Sequence, residues 1–353
     1  MDAHNIVVEQ KSVKRRFYSF YLSPLPGFIC IFLIFFTQFL VADRALAKTV
    51  RIGILMAGDT RQAPVDGLKK GLEGHTAEEG HTFIYDMKNA AGDKKRLTEM
   101  AVEIVAGKPD VAVAAGGIEA DALLVATAGT NIPVVFLSVS SSVDRGVVAS
   151  MVSSGNNFTG IDTNDANLTA KRLWFIRKIL PEAKKVFCFH TPSSVPSVQS
   201  LAVARQSASD LGFELQVAEV ESVENIKSTM ATVSRATTDV ILLFPIVPVE
   251  VSLRSDIFPK AMAEKIPIFG YSAVNIQSGA FASYAGSRYA NGLQAARLIH
   301  KIVNGIKPTD IPVETSEKFE LILNKDLVAK LGLKLGDRAW RMADEIVDLQ
   351  FPL

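Results

Sequence analysis

At 353 residues the chain is long enough for two hydrophobic cores, and 38 Lys and Arg against 37 Asp and Glu leave a formal net charge of only +1. No basic surplus marks it for nucleic acid or for an anionic membrane surface. Two cysteines among 353 residues exclude a disulfide framework.

The N-terminus carries Lys11, Lys14, Arg15 and Arg16, then an apolar run from about Phe28 to Val41, then Ala45-Leu46-Ala47. That order of basic region, apolar core and small residues is the order of a secretory signal peptide, so residues 1–47 are expected to be cleaved after Ala47. A membrane anchor is the alternative, but the apolar run falls short of the roughly 18 residues a spanning helix needs, and Thr37-Gln38 interrupts it. Cleavage would take Cys30 with it, leaving Cys188 alone inside the apolar stretch KVFCFH, where a buried, inert thiol is expected.

From Lys48 onward, apolar runs of strand length recur at Val50 to Met56, His81 to Asp86, Asp110 to Ala114, Ile132 to Leu137, Lys185 to Phe189, Phe213 to Val220, Asp239 to Phe244 and Pro267 to Gly270. Stretches of helical spacing separate nearly all of them. Alternation of this kind predicts an α/β fold, with parallel sheet flanked by helices on both faces.

In an open parallel sheet, ligands bind beyond the carboxyl ends of the strands. Gly116 and Gly117 stand at such an end, ahead of a helix expected from about Ile118 to Thr127. Glycine permits close backbone approach, and the free N–H groups of a helix start favour a polar or anionic group. A plain strand-to-helix turn is the alternative, and Glu119 in the first turn would itself satisfy the helix dipole. Other strand ends carry small, hydroxylated or aromatic residues: Met56 to Asp59, Ser138 to Ser140, His190 to Ser194, and Tyr271-Ser272, with Met56, Ile118, Ile246 and Tyr271 offering an apolar surface. Their convergence predicts a small-molecule crevice. It is expected to be lined by Met56, Asp59, Gly116, Gly117, Ile118, Ser138, Ser140, His190, Thr191, Ser193, Ile246, Tyr271 and Ser272, with Arg288 as a possible source of charge alongside Asp59.

Catalytic constellations are absent from the sequence. The histidines after residue 47 fit no H-E-x-x-H spacing, no G-x-S-x-G elbow occurs, and no dinucleotide fingerprint or phosphate loop is present. No cofactor, metal or catalytic residue is therefore expected, and binding is favoured over catalysis.

Several segments also carry a resemblance that spans nearly the whole chain after residue 47. RIGIL at Arg51, the Pro-Val-Asp-Gly-Leu-Lys segment at Pro64, KPDVAVAAGG at Lys108, NIPVVF at Asn131, VDRGVVASMVSSGNNFTG at Val143 and GIKPTDIPVETSEKFELILNKDLVAKLGL at Gly305 are similar to the tryptophan/tyrosine-type substrate-binding proteins of ABC transporters. The resemblance implies a type I periplasmic binding protein: two Rossmann-like lobes, three hinge crossings and a ligand enclosed between them. Expected partners are a small aromatic or carboxylated organic ligand and an inner-membrane ABC permease with its ATPase, the protein itself being a periplasmic monomer.

The expected lobes are 48–160 plus 281–308 and 161–280 plus 309–353, with hinges near Gly160, Gly279 to Ala282 and Lys307 to Val313. Family members often place Gly-Thr-Pro-Ala where this chain has Gly117-Ile118-Glu119-Ala120, and polar or acidic residues where it has Ser194 and Val247. Those departures predict weak binding of ligands that carry an ammonium group. A periplasmic ligand sensor of the same fold and an exported enzyme are the alternative functions.

Overall fold

The computed structural model describes residues 48–351. The expected signal segment, 1–47, lies outside the described residues.

The first half is built on a six-stranded sheet of order β11-β5-β4-β3-β1-β2, parallel throughout. Along the chain come β1 (Thr49–Met56), a 3₁₀ turn (Asp59–Arg61), α1 (Gln62–Glu79), β2 (Thr82–Asn89), α2 (Lys94–Ala106), β3 (Val111–Ala114), α3 (Gly117–Ala126), β4 (Val134–Val139) and β5 (Phe158–Asp162). The central strands are apolar on both faces: β3 reads VAVA and every residue in it is buried. Helices covering both faces require this pattern. Register runs from Thr49 opposite Thr82 to Met56 opposite Asn89. At α2, Asp93 caps the N-terminus by accepting from the N–H groups of Lys95 and Arg96, while Leu97, Ala101 and Ile104 turn one face to the core.

The second half is a seven-stranded sheet of order β13-β12-β10-β9-β8-β6-β7. It comprises α4 (Asp165–Ile179), β6 (Lys185–His190), α5 (Val195–Asp210), β7 (Glu214–Glu219), α6 (Val223–Thr232), β8 (Val240–Leu242), α7 (Val247–Ser252), α8 (Phe258–Ala263), β9 (Ile268–Gly270), α9 (Ala273–Gln277) and β10 (Ala282–Gly286). The chain then returns to the first half as α10 (Arg288–Val303) and β11 (Glu314–Thr315). It ends in the second half as β12 (Phe319–Asn324), α11 (Lys325–Lys330), α12 (Asp337–Met342) and β13 (Glu345–Val347). Only the β10–β12 pairing is antiparallel.

Sheet membership moves two of the expected crossings. Ala282 and Ser283 pair with Phe269 and Gly270, so β10 belongs to the second sheet although 281–308 was expected in the first lobe. The chain changes halves between Gly286 and Arg288. Glu314 and Thr315 pair with Ile161 and Asp162, which holds 314–315 in the first sheet and puts the last crossing between Thr315 and Phe319.

The return helix α10 packs on α1 at a close approach that glycine alone allows. A Cβ on Gly292 would lie 2.0 Å from the Pro64 carbonyl oxygen, and one on Gly67 would lie 2.0 Å from the carbonyl oxygen of Tyr289. This contact fixes where the N-terminus of α10, and with it Arg288, meets the space between the two sheets.

Candidate functional site

A cavity of about 260 Å³ lies between the two halves. The first half lines it from the carboxyl ends of its strands with Arg61, Ala115, Gly117, Ile118, Ser138, Ser140 and Arg145. The second contributes Pro245, Ile246, Val247, Glu250, Tyr271 and Ser272, while Thr163, Asp165, Gly286 and Arg288 line it where the chain crosses. The cavity therefore lies at the strand ends of both halves, where an open parallel sheet offers a crevice.

Three of the charged side chains at this cavity, Arg61, Arg145 and Asp165, are paired within the protein. Arg61 Nε donates to Glu119 Oε1 at 2.9 Å, and the same oxygen accepts from the Ala57 N–H at 2.9 Å. Glu119 is wholly buried, so its first-turn carboxylate serves chiefly as the counter-ion of Arg61. Burial would lower the Arg61 pKa, but Glu119 and then Glu250 outweigh it and hold the guanidinium above its usual range. Arg145 pairs with Asp121. Asp165 is spent on the fully buried Arg172, whose Nη2 lies 2.7 Å from Asp165 Oδ1, while Thr163 Oγ1 donates to Asp165 Oδ2 at 2.8 Å. Burial pulls Arg172 down and the Asp165 carboxylate opposes it.

Among the described residues, three cavity charges lack such a partner: Lys94, which is exposed to solvent, Arg288 and Glu250. Among the described residues, Arg288 has no carboxylate within ion-pair distance, and its one hydrogen bond runs from Nη1 to the Thr60 carbonyl oxygen at 3.3 Å. Burial, and next the neighbouring Arg61, pull its pKa down. Among the described residues Glu250 has no cation within ion-pair distance, and its Oε1 accepts from the Tyr271 hydroxyl. Burial first, and Glu250 second, push that phenol well above the ordinary tyrosine value.

Of the residues expected at the site, Gly117, Ile118, Ser138, Ser140, Ile246, Tyr271, Ser272 and Arg288 line the cavity. The other six do not. Met56 continues the buried pattern of β1 into the core of the first half. Asp59 is exposed and accepts from Asn89 Nδ2 at 2.8 Å. Gly116 lies against the Arg61–Glu119 pair, since a Cβ there would be 2.8 Å from Arg61 Nε. His190 Nδ1 is 2.9 Å from Ser197 Oγ, Thr191 Oγ1 donates to the Val220 carbonyl at 2.6 Å, and Ser193 Oγ donates to Glu221 Oε2 at 2.7 Å. Those three side chains stabilise the β6–α5 turn.

Strand ends alone do not reveal Arg61, Arg145 or Glu250. Arg61 sits two residues beyond Asp59, across the short 3₁₀ turn. Glu250 could have been found from Pro248, a residue type that favours the start of a helix and so places Glu250 in the first turn of α7. With Asp165, Glu250 supplies the acidic lining of the cavity, which Asp59 was expected to provide and does not. Among the described residues, no group of three or more His, Cys, Asp or Glu side chains could hold a metal ion, and no helix is long and apolar enough to cross a membrane.

Two sheets with a cavity at their facing carboxyl ends define the type I periplasmic binding protein fold, and solved structures of that class resemble the chain. A conserved domain protein from Vibrio cholerae superposes with a TM-score of 0.73 at 25% identity, covering 85% of this chain and 99% of that one. An ABC domain from Streptococcus pneumonia in complex with L-Trp gives 0.73 at 20% identity, over 85% and 99%. In sequence, the chain is 26% identical over 297 residues to the tyrosine-binding protein of Clostridioides difficile (strain R20291), covering 83% of each. The family model for ABC transporter substrate binding proteins matches residues 49–347, and the chain belongs to that family.

Proposed function

We propose that the chain is the periplasmic solute-binding component of an ABC importer, exported by cleavage after Ala47, which encloses a small organic ligand between its two halves and delivers it to a membrane permease. The observation that carries this reading is the cavity of about 260 Å³ lined from both sheets, with Gly117, Ser138 and Arg288 on one side and Ile246, Glu250 and Tyr271 on the other. A ligand touching both halves favours the arrangement in which they approach. Ile118, Ile246 and Val247 offer apolar surface, Tyr271 offers a ring, and the hydroxyls and charged groups orient polar ends.

Tyrosine and tryptophan, named for the relatives, enter as the first ligands to try. The absence of acid at Ser194 and Val247 argues against an ammonium-bearing ligand, but Glu250 lines the same cavity and restores one carboxylate for it. Thermal shift on refolded, ligand-free protein tests the reading, because a ligand that binds only the folded state raises its stability by about 2.7 kcal/mol at one hundred times its Kd. A stabilising amino acid or aromatic acid is the expected result. No stabilisation by any small organic solute, or turnover of one, would overturn it.

A further inference from the structure

We propose that the bound solute carries a carboxylate and that Arg288 recognises it, with the Ser138 and Ser140 hydroxyls as accessory donors. The inference rests on the cavity being the ligand site and names the chemical class that the site selects.

The argument begins with accounting. Three arginines at or beside the cavity are neutralised by the protein itself: Arg61 by Glu119, Arg145 by Asp121 and Arg172 by Asp165. Arg288 is the exception, partly buried beside the Arg61 guanidinium and anchored by one long bond to a neutral carbonyl. A guanidinium has five N–H donors in a planar fork that matches a carboxylate, and burying it without a counter-ion is costly. Glu250 acts on Arg288 only from beyond ion-pair distance, so a counter-ion in direct contact is left for the ligand to supply.

The neighbouring polar groups point to the same kind of guest. Asn291, one turn after Arg288, donates from Nδ2 to Ser138 Oγ at 3.1 Å, which leaves the Ser138 hydroxyl proton free to donate into the cavity. Ser140 Oγ is buried, lines the cavity and has no hydrogen-bond partner among the described residues, and neither does Arg145 Nε. A buried donor without an acceptor is costly, so an acceptor-rich group is favoured there. These donors all come from the first half or from α10, which packs on it, whereas the second half presents Ile246, Val247 and Glu250 together with Tyr271 and Ser272, whose hydroxyls donate to Glu250 and Asn275. A carboxylate on Arg288 therefore leaves the rest of the ligand to face Ile246, Tyr271 and Glu250.

Calorimetry on ligand-free protein tests this with two acids, L-tyrosine and 4-hydroxyphenylacetate, each against its carboxamide. The two acids distinguish a zwitterion from a plain carboxylate. Wild-type protein should bind at least one acid 10-fold or more tightly than its amide. In Arg288→Met that gap should shrink below 3-fold, and Arg288→Lys, which keeps the charge but not the fork, should retain part of it. Melting temperatures within a few degrees of wild type would show that both variants fold. An amide bound as tightly as its acid, or an acid–amide gap that survives Arg288→Met in a folded variant, overturns the proposal. So does binding of neutral solutes when neither acid binds, although the enclosed-ligand reading would then stand. Failure of every solute to bind removes both.

Discussion

Replacing Gly292 by Ala should destabilise the protein and disturb the site from a distance. The new Cβ would lie 2.0 Å from the Pro64 carbonyl oxygen and 2.6 Å from the Leu68 nitrogen, both backbone atoms, whereas ordinary contact begins near 3.4 Å. No rotamer change relieves such a clash, so α10 and α1 must separate by about 1.4 Å. Overpacking costs about 1–3 kcal/mol, and a backbone-to-backbone clash belongs at the upper end, about 3 kcal/mol. Alanine returns about 1 kcal/mol of helix propensity, leaving a net loss of about 2 kcal/mol. At about 2 °C per kcal/mol for a chain of this size, the melting temperature should fall by about 4 °C.

Gly74→Ala is the control, since a Cβ there meets nothing within 4 Å and should raise the melting temperature by about 2 °C through propensity alone. Because α10 carries Arg288 and Asn291, ligand affinity should also fall in Gly292→Ala and not in Gly74→Ala. Differential scanning calorimetry of the two variants decides the matter. If both melt at or above the wild-type temperature, the close helix approach does not hold α10 in place.

Other expectations follow from the site and the cores. Glu119→Gln keeps an acceptor for the Ala57 N–H but leaves Arg61 without its counter-ion; with 15% of the Arg61 side chain exposed, the loss should be near the low end for a buried pair, about 3 kcal/mol, read by urea unfolding. A loss below about 1 kcal/mol would show the pair to be screened. Gly117→Val places a Cβ 3.3 Å from the Arg145 guanidinium at the cavity wall, so affinity should drop by 10-fold or more with a small change in melting temperature, and unchanged affinity in calorimetry would remove Gly117 from the site. Burial pushes the Cys188 thiol up to about 12, so iodoacetamide at pH 8 should leave the Cys188 peptide unmodified until the protein is unfolded, as peptide mass spectrometry can check.

The alternating architecture was legible because strands buried on both faces are written as unbroken apolar runs; VAVA in β3 and KVFCFH in β6 are read directly. Strands that depend on long-range pairing were not. FTGID in β5 is short and holds a glycine, and FELILN in β12 becomes a strand by pairing antiparallel with β10. The crossing after Gly286 has no local mark, since it is set by which sheet captures residues 282–286. At the site, backbone positions at strand ends could be ranked from sequence, which is why Gly117, Ser138 and Tyr271 stand where expected. Side-chain partners could not. Thr191 and Ser193 look as available as Ser138 and Ser140 until Val220 and Glu221 are seen to occupy them.

The central claim is that a ligand binds between the two halves and draws them together. Small-angle X-ray scattering of the ligand-free protein, with and without a saturating compound whose binding calorimetry has established, tests it most directly. The radius of gyration should fall on addition, with the change abolished in Arg288→Met at the same compound concentration. An unchanged radius at proven saturation would contradict the account.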